Sequence, residues 1–593
     1  MYVKREFYDN EHELDVSEQK RLHKREKMVV TWRTVLFVGA LGSIGLGWDN
    51  GINYLYIVGA ILGMIYIRLV NYHDNLKMRK EFLKSRLNVL TSYIRRAKGT
   101  WRKRKEDGSE YLKRGRAQDV DLHIFGAGSI YQYIRAARTK RGRDLLADAF
   151  KVEVPDFNEV RSRQRGVAEL LQRPRLTLDI EAYARLMPNG HDTSELIESV
   201  EEELEPLGKV YKLRIILPLI LVAAVVLWVI GLVTEYPIIT IFMIMLIISI
   251  IAIPGVNERL SGLNLIGTEL GQYRAIFERL EETNFNSKRL SAVQSILMDE
   301  VRASEELKWL GLLSEGSKWR RNPLFFIIGN GLIMADMWLV SGYMQWRKRV
   351  AGHLKTWLDA YSEVEVLMSL ATIGQTREQY CFPTFYEGEK PRLKVEGLTS
   401  LLVAEDKGVA NDVELEAGTT IITGANMSGK TTWIRTLAGA VMLAYSGAPV
   451  CAKNFAVSGL KVQTSIRVTD DLSAGVSTFY AELLRLKGMI ESVEHGEPML
   501  ACIDEIFKGT NVNDRIIGAK EAIRRLTTEK SIVLVTTHDF ELCELEQENK
   551  RIKNAHFEEH YVGEEIKFDY KLREGRTHTT NAKYLLKLAG INI

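Results

Sequence analysis

Cysteine is scarce in this chain: four in 593 residues, at Cys381, Cys451, Cys502 and Cys543, with no C-x-x-C pair. That spacing excludes a disulfide framework and a cysteine-based zinc site, and it fits a reducing compartment. Net charge is scarce too. The 80 basic and 76 acidic side chains nearly cancel to +4, so gross charge names no partner and only local clusters can. No internal repeat or low-complexity tract is present. No cleaved signal peptide is expected, because the first apolar run begins only after some thirty residues rich in charge.

Two stretches instead lack polarity. Residues 34–70 are predominantly apolar, broken by Trp48-Asp-Asn-Gly51, and residues 215–253 likewise, broken by Thr234-Glu-Tyr-Pro237. Each is long enough for two membrane crossings joined by a tight turn. The run from Ile238 to Ile253 has no polar face, which disfavours a buried core helix. Lys20, Arg21, Lys24, Arg25 and Lys27 precede the first hairpin, and Arg68, Lys77, Arg79 and Lys80 follow it. Both turns lack Lys and Arg. The positive-inside rule therefore places the turns outside and everything else in the cytoplasm of a multi-pass protein of the cell membrane. A fifth apolar run, residues 323–340, holds Asn330 and Asp336. A single extra crossing there would export whatever follows, so it is expected as a buried helix of the soluble part.

Residues 71–212 read as polar helix. The basic run Arg95-Arg-Ala-Lys-Gly-Thr-Trp-Arg-Lys-Arg-Lys105 lies there. Anionic lipid is the simplest partner for such a cluster beside a membrane; a solvated helix face and nucleic acid are the alternatives.

Chemistry concentrates near the C-terminal third. Thr423-Gly-Ala-Asn-Met-Ser-Gly-Lys-Thr-Thr432 fits G-x-x-x-x-G-K-[ST] between an apolar strand pattern and a helical one. Glycines let backbone N–H groups fold around phosphates, Lys430 reaches the β/γ oxygens, and the Thr431 hydroxyl ligates Mg²⁺. Gly424, Ala425, Asn426, Met427, Ser428, Gly429, Lys430, Thr431 and Thr432 are thus the expected ATP-binding residues. Downstream, Pro498-Met-Leu-Ala-Cys-Ile-Asp-Glu505 is an apolar strand ending in two carboxylates. Asp504 is placed to hold Mg²⁺ through water, and Glu505 to polarise the attacking water. A second strand, residues 531–537, ends at His538, an imidazole for the γ-phosphate. Thr469-Asp-Asp-Leu-Ser-Ala-Gly-Val-Ser-Thr-Phe-Tyr480 leads into a helix whose start offers donors to a phosphate, in its own subunit or in a dimer with shared sites.

Residues 423–432, Asp471-Leu-Ser-Ala-Gly-Val-Ser-Thr-Phe479, Asp504-Glu-Ile-Phe-Lys-Gly-Thr510 and Thr536-Thr-His-Asp-Phe-Glu-Leu542 together resemble the ATPase domain of the MutS family, in family order and with family-like gaps. Asn581-Ala-Lys-Tyr-Leu-Leu-Lys-Leu-Ala-Gly590 resembles its closing helix. A weaker resemblance, to the family's helical core or lever, is carried by Asp121-Leu-His-Ile-Phe-Gly-Ala-Gly-Ser-Ile-Tyr131, Thr139-Lys-Arg-Gly-Arg143 and Arg161-Ser-Arg-Gln-Arg165. The DNA-gripping clamp that normally interrupts the lever is replaced by the second apolar hairpin. The mismatch-reading Phe-x-Glu domain has no counterpart near the N-terminus; Phe157-Asn-Glu159, Phe385-Tyr-Glu387 and Phe557-Glu-Glu559 match the triplet in unrelated contexts.

The resemblance implies an α/β P-loop ATPase domain joined to an all-α lever/core domain with four transmembrane helices in two hairpins. The expected division is 1–30, a basic cytoplasmic segment; 31–71, hairpin 1; 72–213, a helical region that is core-like from about 118; 214–254, hairpin 2; 255–385, lever continued; and 386–593, ATPase domain. It further implies a homodimer in which Ser477 reaches the partner's ATP and Gly509-Thr510-Asn511 line the interface. Thr399-Ser400 stand where mismatch-repair members carry Arg-His-Pro, which puts the adenine-side contacts in doubt. DNA binding through the basic clusters is an open partner, marked by steep salt dependence. Two other readings compete. Leu472-Ser-Ala-Gly475 is faintly like the signature of ABC transporters, but it follows Lys430 too closely. A scaffold using ATP only to dimerise would have no use for Glu505.

Overall fold

In the computed structural model, residues 5–576 are described, except 115, 188–191, 203–207, 389, 468–477, 508–510 and 563–564. Helix α1 (Arg5–Asn50) and helix α2 (Asn53–Ala97) form an antiparallel pair turned at Gly51, whose φ of 67° suits glycine. Residues 1–30 therefore do not form a separate segment: from Arg5 they are the outer part of α1. At 46 and 45 residues, each helix is about 68 Å long, twice the roughly 30 Å of a bilayer's hydrocarbon core. The apolar half exposes its side chains (Val38 62%, Ile57 64%). The polar half is a stalk zipped by Arg79–Glu18 (3.2 Å) and Lys80–Glu26 (2.7 Å). Tyr8 stacks on Tyr93, with ring centroids 5.2 Å apart.

α3 (Phe157–Leu171) and α4 (Pro174–Ala184) begin the core. Arg86 of α2, nearly buried, bonds Asp15 and Glu11 of α1 at 2.6 Å and Asp179 of α4 at 2.9 Å, which fastens the stalk to the core. The basic run 95–105 does not adjoin the apolar half of α2. It lies some 27 residues past Val70, about 40 Å along α2. Arg96 is fully buried, donating to the carbonyls of Tyr133 and Arg135, and Trp101 is buried beside Tyr133. Arg96 and Trp101 of that run thus belong to an internal joint, while Arg95, Lys98, Arg102, Lys103 and Lys105 stay exposed.

α5 (Leu213–Val229) and α6 (Tyr236–Leu260) form the second apolar hairpin, closed at Gly231 with φ 77°. The two hairpins supply four helices long and apolar enough to cross a membrane. α7 (Leu263–Glu282) and α8 (Ala303–Trp319) pack side by side. Then come α9 (Pro323–Ile333) and α10 (Ala335–Val350), bent by 82° at Met334. The expected buried helix at 323–340 is corrected here: Leu324 is 63% and Phe325 53% exposed, and α9 packs against α6.

α11 (Leu354–Thr376) is the axis of the core, buried along almost its whole length. Its Glu365 accepts from the Arg138 and Thr139 N–H groups at 2.7 and 3.1 Å, and burial raises its carboxyl above the usual range.

The remaining domain has two sheets. β1 (Thr384–Phe385), β2 (Arg392–Leu398), β3 (Asn411–Glu416) and β5 (Asn454–Val457) form one, in the order β1-β5-β2-β3. The other contains β4 (Gly418–Thr423), β6 (Lys461–Ser465), β7 (Met499–Asp504), β8 (Ser531–Thr536), β9 (Ile552–Val562) and β10 (Glu565–Glu574). Its order is β10-β9-β4-β8-β7-β6, parallel except for the β9/β10 pair. β7 and β8 read as unbroken apolar runs because helices cover both faces. α12 (Lys430–Ser446), α13 (Thr478–Glu494) and α14 (Val512–Leu526) flank this sheet. The carboxyl ends of β4, β7 and β8 meet at one edge, where a parallel sheet presents its ligands.

Candidate nucleotide site

The loop between β4 and α12 turns on Gly424 (φ 145°) and Gly429 (φ 106°), conformations that side chains resist. Gly424 is also tight: a Cβ there would stand 2.7 Å from the Phe557 carbonyl oxygen. The loop hands its chain to the N-terminus of α12, where backbone N–H groups and the helix dipole favour an anion. Lys430 Nζ donates to the Gly424 and Ala425 carbonyls at 2.7 and 3.1 Å, which parks the ammonium in the mouth of the loop.

Thr431 donates its hydroxyl to both carboxylate oxygens of Asp504, at 3.0 and 2.9 Å, which joins the start of α12 to the end of β7. Thr536 on β8 also donates to Asp504. This hard-oxygen set suits Mg²⁺, which keeps several waters and needs few protein ligands. Glu505 follows with φ 52° and Phe507 with φ 61°. Left-handed non-glycine residues cost about 1–3 kcal/mol each, and they gather where the backbone must aim a side chain. His538 Nε2 lies 3.4 Å from Glu505 Oε1 and 3.4 Å from Lys430 Nζ. Chain positions far apart in sequence, Lys430, Thr431, Asp504, Glu505 and His538, thus converge.

Of these, Lys430, Thr431 and Glu505 line a cavity of about 690 Å³, together with Asn426, Met427, Ser428, Gly429 and Thr432. Met427 is 86% exposed, whereas Ser428 is buried. Ser477 and the pair Gly509-Thr510, expected at a partner's site, lie outside the described residues, as does the segment 472–475 on which the transporter reading leaned. Asn511 is described and caps α14, accepting from the Asn513 N–H.

Sequence reasoning missed two residues. Tyr570 sits at a bulge of β10 with φ 55°, its carbonyl taking a bond from Asn411 Nδ2 at 3.0 Å. Its ring lies over Gly429, 3.1 Å from where a Cβ would be, and lines the cavity. Nothing in the pattern of β10 marks it, because the bulge sets the ring's aim. Asp121, from the core, is fully buried and reaches the ATPase domain. It accepts from Thr464 Oγ1 (2.7 Å), Ile466 N (3.1 Å), Arg467 N (2.9 Å) and Arg485 Nη1 (2.9 Å). One carboxylate therefore binds the end of β6 and helix α13 to the core.

A second cavity, of about 500 Å³, adjoins the first through Thr432 and Thr436 and is lined by Arg102, His123, Gly128 and Arg435. Burial, then the Arg467, Arg435 and Arg102 guanidiniums, hold the His123 imidazole below its usual pKa.

Comparison with known protein families matches MutS domain V to residues 420–592. That domain is the α/β P-loop, ATPase-bearing part of MutS-family proteins. The match spans the loop, Asp504, Glu505, His538 and Tyr570.

Proposed function

We propose that this protein is a membrane-anchored, MutS-like ATPase, which binds and hydrolyses Mg–ATP at sites completed by a second copy and drives its lever helices and membrane hairpins. The observation that carries the reading is the convergence of Lys430, Thr431, Asp504, Glu505 and His538 at the mouth of one phosphate loop. Lys430 and the loop amides hold the β/γ-phosphates. Thr431 and Asp504 would hold Mg²⁺, which would supply positive charge to offset that developing on the phosphates. Glu505 takes the proton of the attacking water, and His538 donates to the γ-phosphate.

Dimerisation is supported by apolar side chains left open beside the site: Val512 (54%) and Ile517 (69%) on α14, and Leu483 and Leu484 on α13. Membrane anchoring is supported by the four long apolar helices. Their basic flanks favour a cytoplasmic nucleotide site. Arg86 and Asp121 connect stalk to core and core to ATPase domain, which gives a nucleotide-driven movement a route to the membrane.

The test is ATP hydrolysis by the full-length protein in lipid, with and without duplex, branched or single-stranded DNA. Glu505→Gln should lower kcat by about 10²–10³-fold while nucleotide affinity is kept. An unchanged rate would favour a scaffold. DNA stimulation lost at high salt would add a nucleic-acid partner, and its absence at low salt would remove one.

A further inference from the structure

The proposed function leaves residues 323–338 without a role. Helix α9 begins where Arg320 Nη1 donates to Asn257 Oδ1 at 2.7 Å, near the polar end of α6. It ends beside the apolar middle of α6, since a Cβ on Gly331 would fall 2.2 Å from the Phe242 ring. Asn257 and Phe242 are separated by about 22 Å along that helix. Met334 and Met337, both buried, pack there with Leu221 of α5 and Met245 of α6. The chain then returns. Trp338 lies under Arg214 at the start of α5 (4.9 Å), and Met344 Sδ accepts from Arg259 of α6 at 3.6 Å, two residues beyond Asn257. Entry and exit share one level.

The break itself suits a non-aqueous host. Irregular backbone is tolerated at membrane depth only where protein covers it, and left-handed Met334 is fully buried. Asn330 Oδ1 accepts the Asp336 N–H at 3.0 Å, and Asp336 is ion-paired to Arg320 at 2.7 Å. The two polar side chains that argue against a membrane segment are thus satisfied internally. The outer face holds Leu324, Phe325, Ile328, Leu332 and Ile333, all exposed and continuous with the exposed face of α6 (Ile251 74%). Trp319 and Trp338, both exposed, flank its mouth together with Lys318 and Arg321. Aromatic and basic side chains of this kind settle at the headgroup level.

We infer that α9 and the start of α10 form a re-entrant element that dips into the phospholipid leaflet on the ATPase side and returns, its outer face in contact with acyl chains. The inference rests on the anchoring reading above. Full-length protein in vesicles of phosphatidylcholine and phosphatidylglycerol, spin-labelled at Ile328→Cys, tests it, with Leu324→Cys as a second site and Ile251→Cys as the hairpin reference. Labels at 328 and 324 should collide with oxygen several-fold more than with an aqueous nickel chelate, as at 251. Lys318→Cys and Lys348→Cys should react with an impermeant maleimide from the face that carries the ATPase domain. Aqueous behaviour at 328 and 324 with lipid behaviour at 251 overturns this inference alone. Aqueous behaviour at all three overturns the anchoring reading and this inference with it. Reaction of 348 only from the opposite face makes the segment a full crossing and also overturns it.

Discussion

Asp121→Asn should loosen the ATPase domain's grip on the core without touching the phosphate loop. The carboxylate takes four donors, three of them on Oδ2. An amide offers one acceptor oxygen and turns an NH₂ toward at least one of those donors. Hydrogen bonds to a charged acceptor contribute about 1.5–3 kcal/mol, and a stranded buried donor costs a similar amount. Arg485 is one-quarter exposed, so water recovers part of its loss. The net local cost is about 2–3 kcal/mol, which corresponds to roughly 30- to 150-fold. A global unfolding curve would blur this in a multidomain chain, so amide hydrogen exchange is the assay. The Ile466 and Arg467 amides, which donate to Asp121, should exchange faster by about that factor, while Val533 in the middle of β8 stays protected. Adding Arg485→Met should be less than additive, because the two side chains share one interaction. Nucleotide affinity should hold and kcat fall. Unchanged exchange at 466 and 467 would refute the claim that this carboxylate ties the domains together.

Other outcomes follow from the site. Lys430→Ala removes the ammonium from the loop and should abolish nucleotide binding in a fluorescent-nucleotide titration, with the fold kept by circular dichroism. Tyr570→Ala removes the ring over Gly429; a lost aromatic contact of about 1–1.5 kcal/mol should weaken ATP binding roughly 5- to 13-fold, whereas Tyr570→Phe should bind normally. His123 has a depressed pKa in the folded state, so the unfolded chain takes up its proton first as pH falls through about 6.5. Its stability contribution is intact above that pH and shrinks below it. Thermal melts between pH 7.5 and 5 should show a shallower loss for His123→Asn, a residue that tolerates the φ of 53° found there.

The phosphate loop is legible because its chemistry is local: four spaced residues, Gly424, Gly429, Lys430 and Thr431, fix both the backbone turn and the ligand. Asp504 and His538 were legible for a related reason, as each ends an apolar strand whose neighbours in the sheet decide where it points. Asp121 was quoted for its motif, but its role was hidden, since its partners lie some 340 residues on. Tyr570 was hidden because a bulge rather than a sequence pattern aims it. Residues 323–340 misled for a physical reason. Asn330 and Asp336 suggest a helix buried in the soluble part, but they are partnered internally, by the Asp336 amide and Arg320, while the outer face of α9 stays exposed. The basic run 95–105 misled in the opposite way, because composition cannot report that α2 carries it about 40 Å from the apolar half of its own helix.

The paired helices α1 and α2 also have a mechanical meaning. Beyond the apolar half, the pair runs about 24 Å from Val70 to Arg86, stiffened along its length by ion pairs and fixed there to the core. A tilt of only about 5° at that fixed end would swing the Val70 level sideways by about 2 Å over such a length. A small rearrangement around Asp179 would thus reach the apolar half of the pair as a lateral displacement of about 2 Å, with no hinge of its own needed.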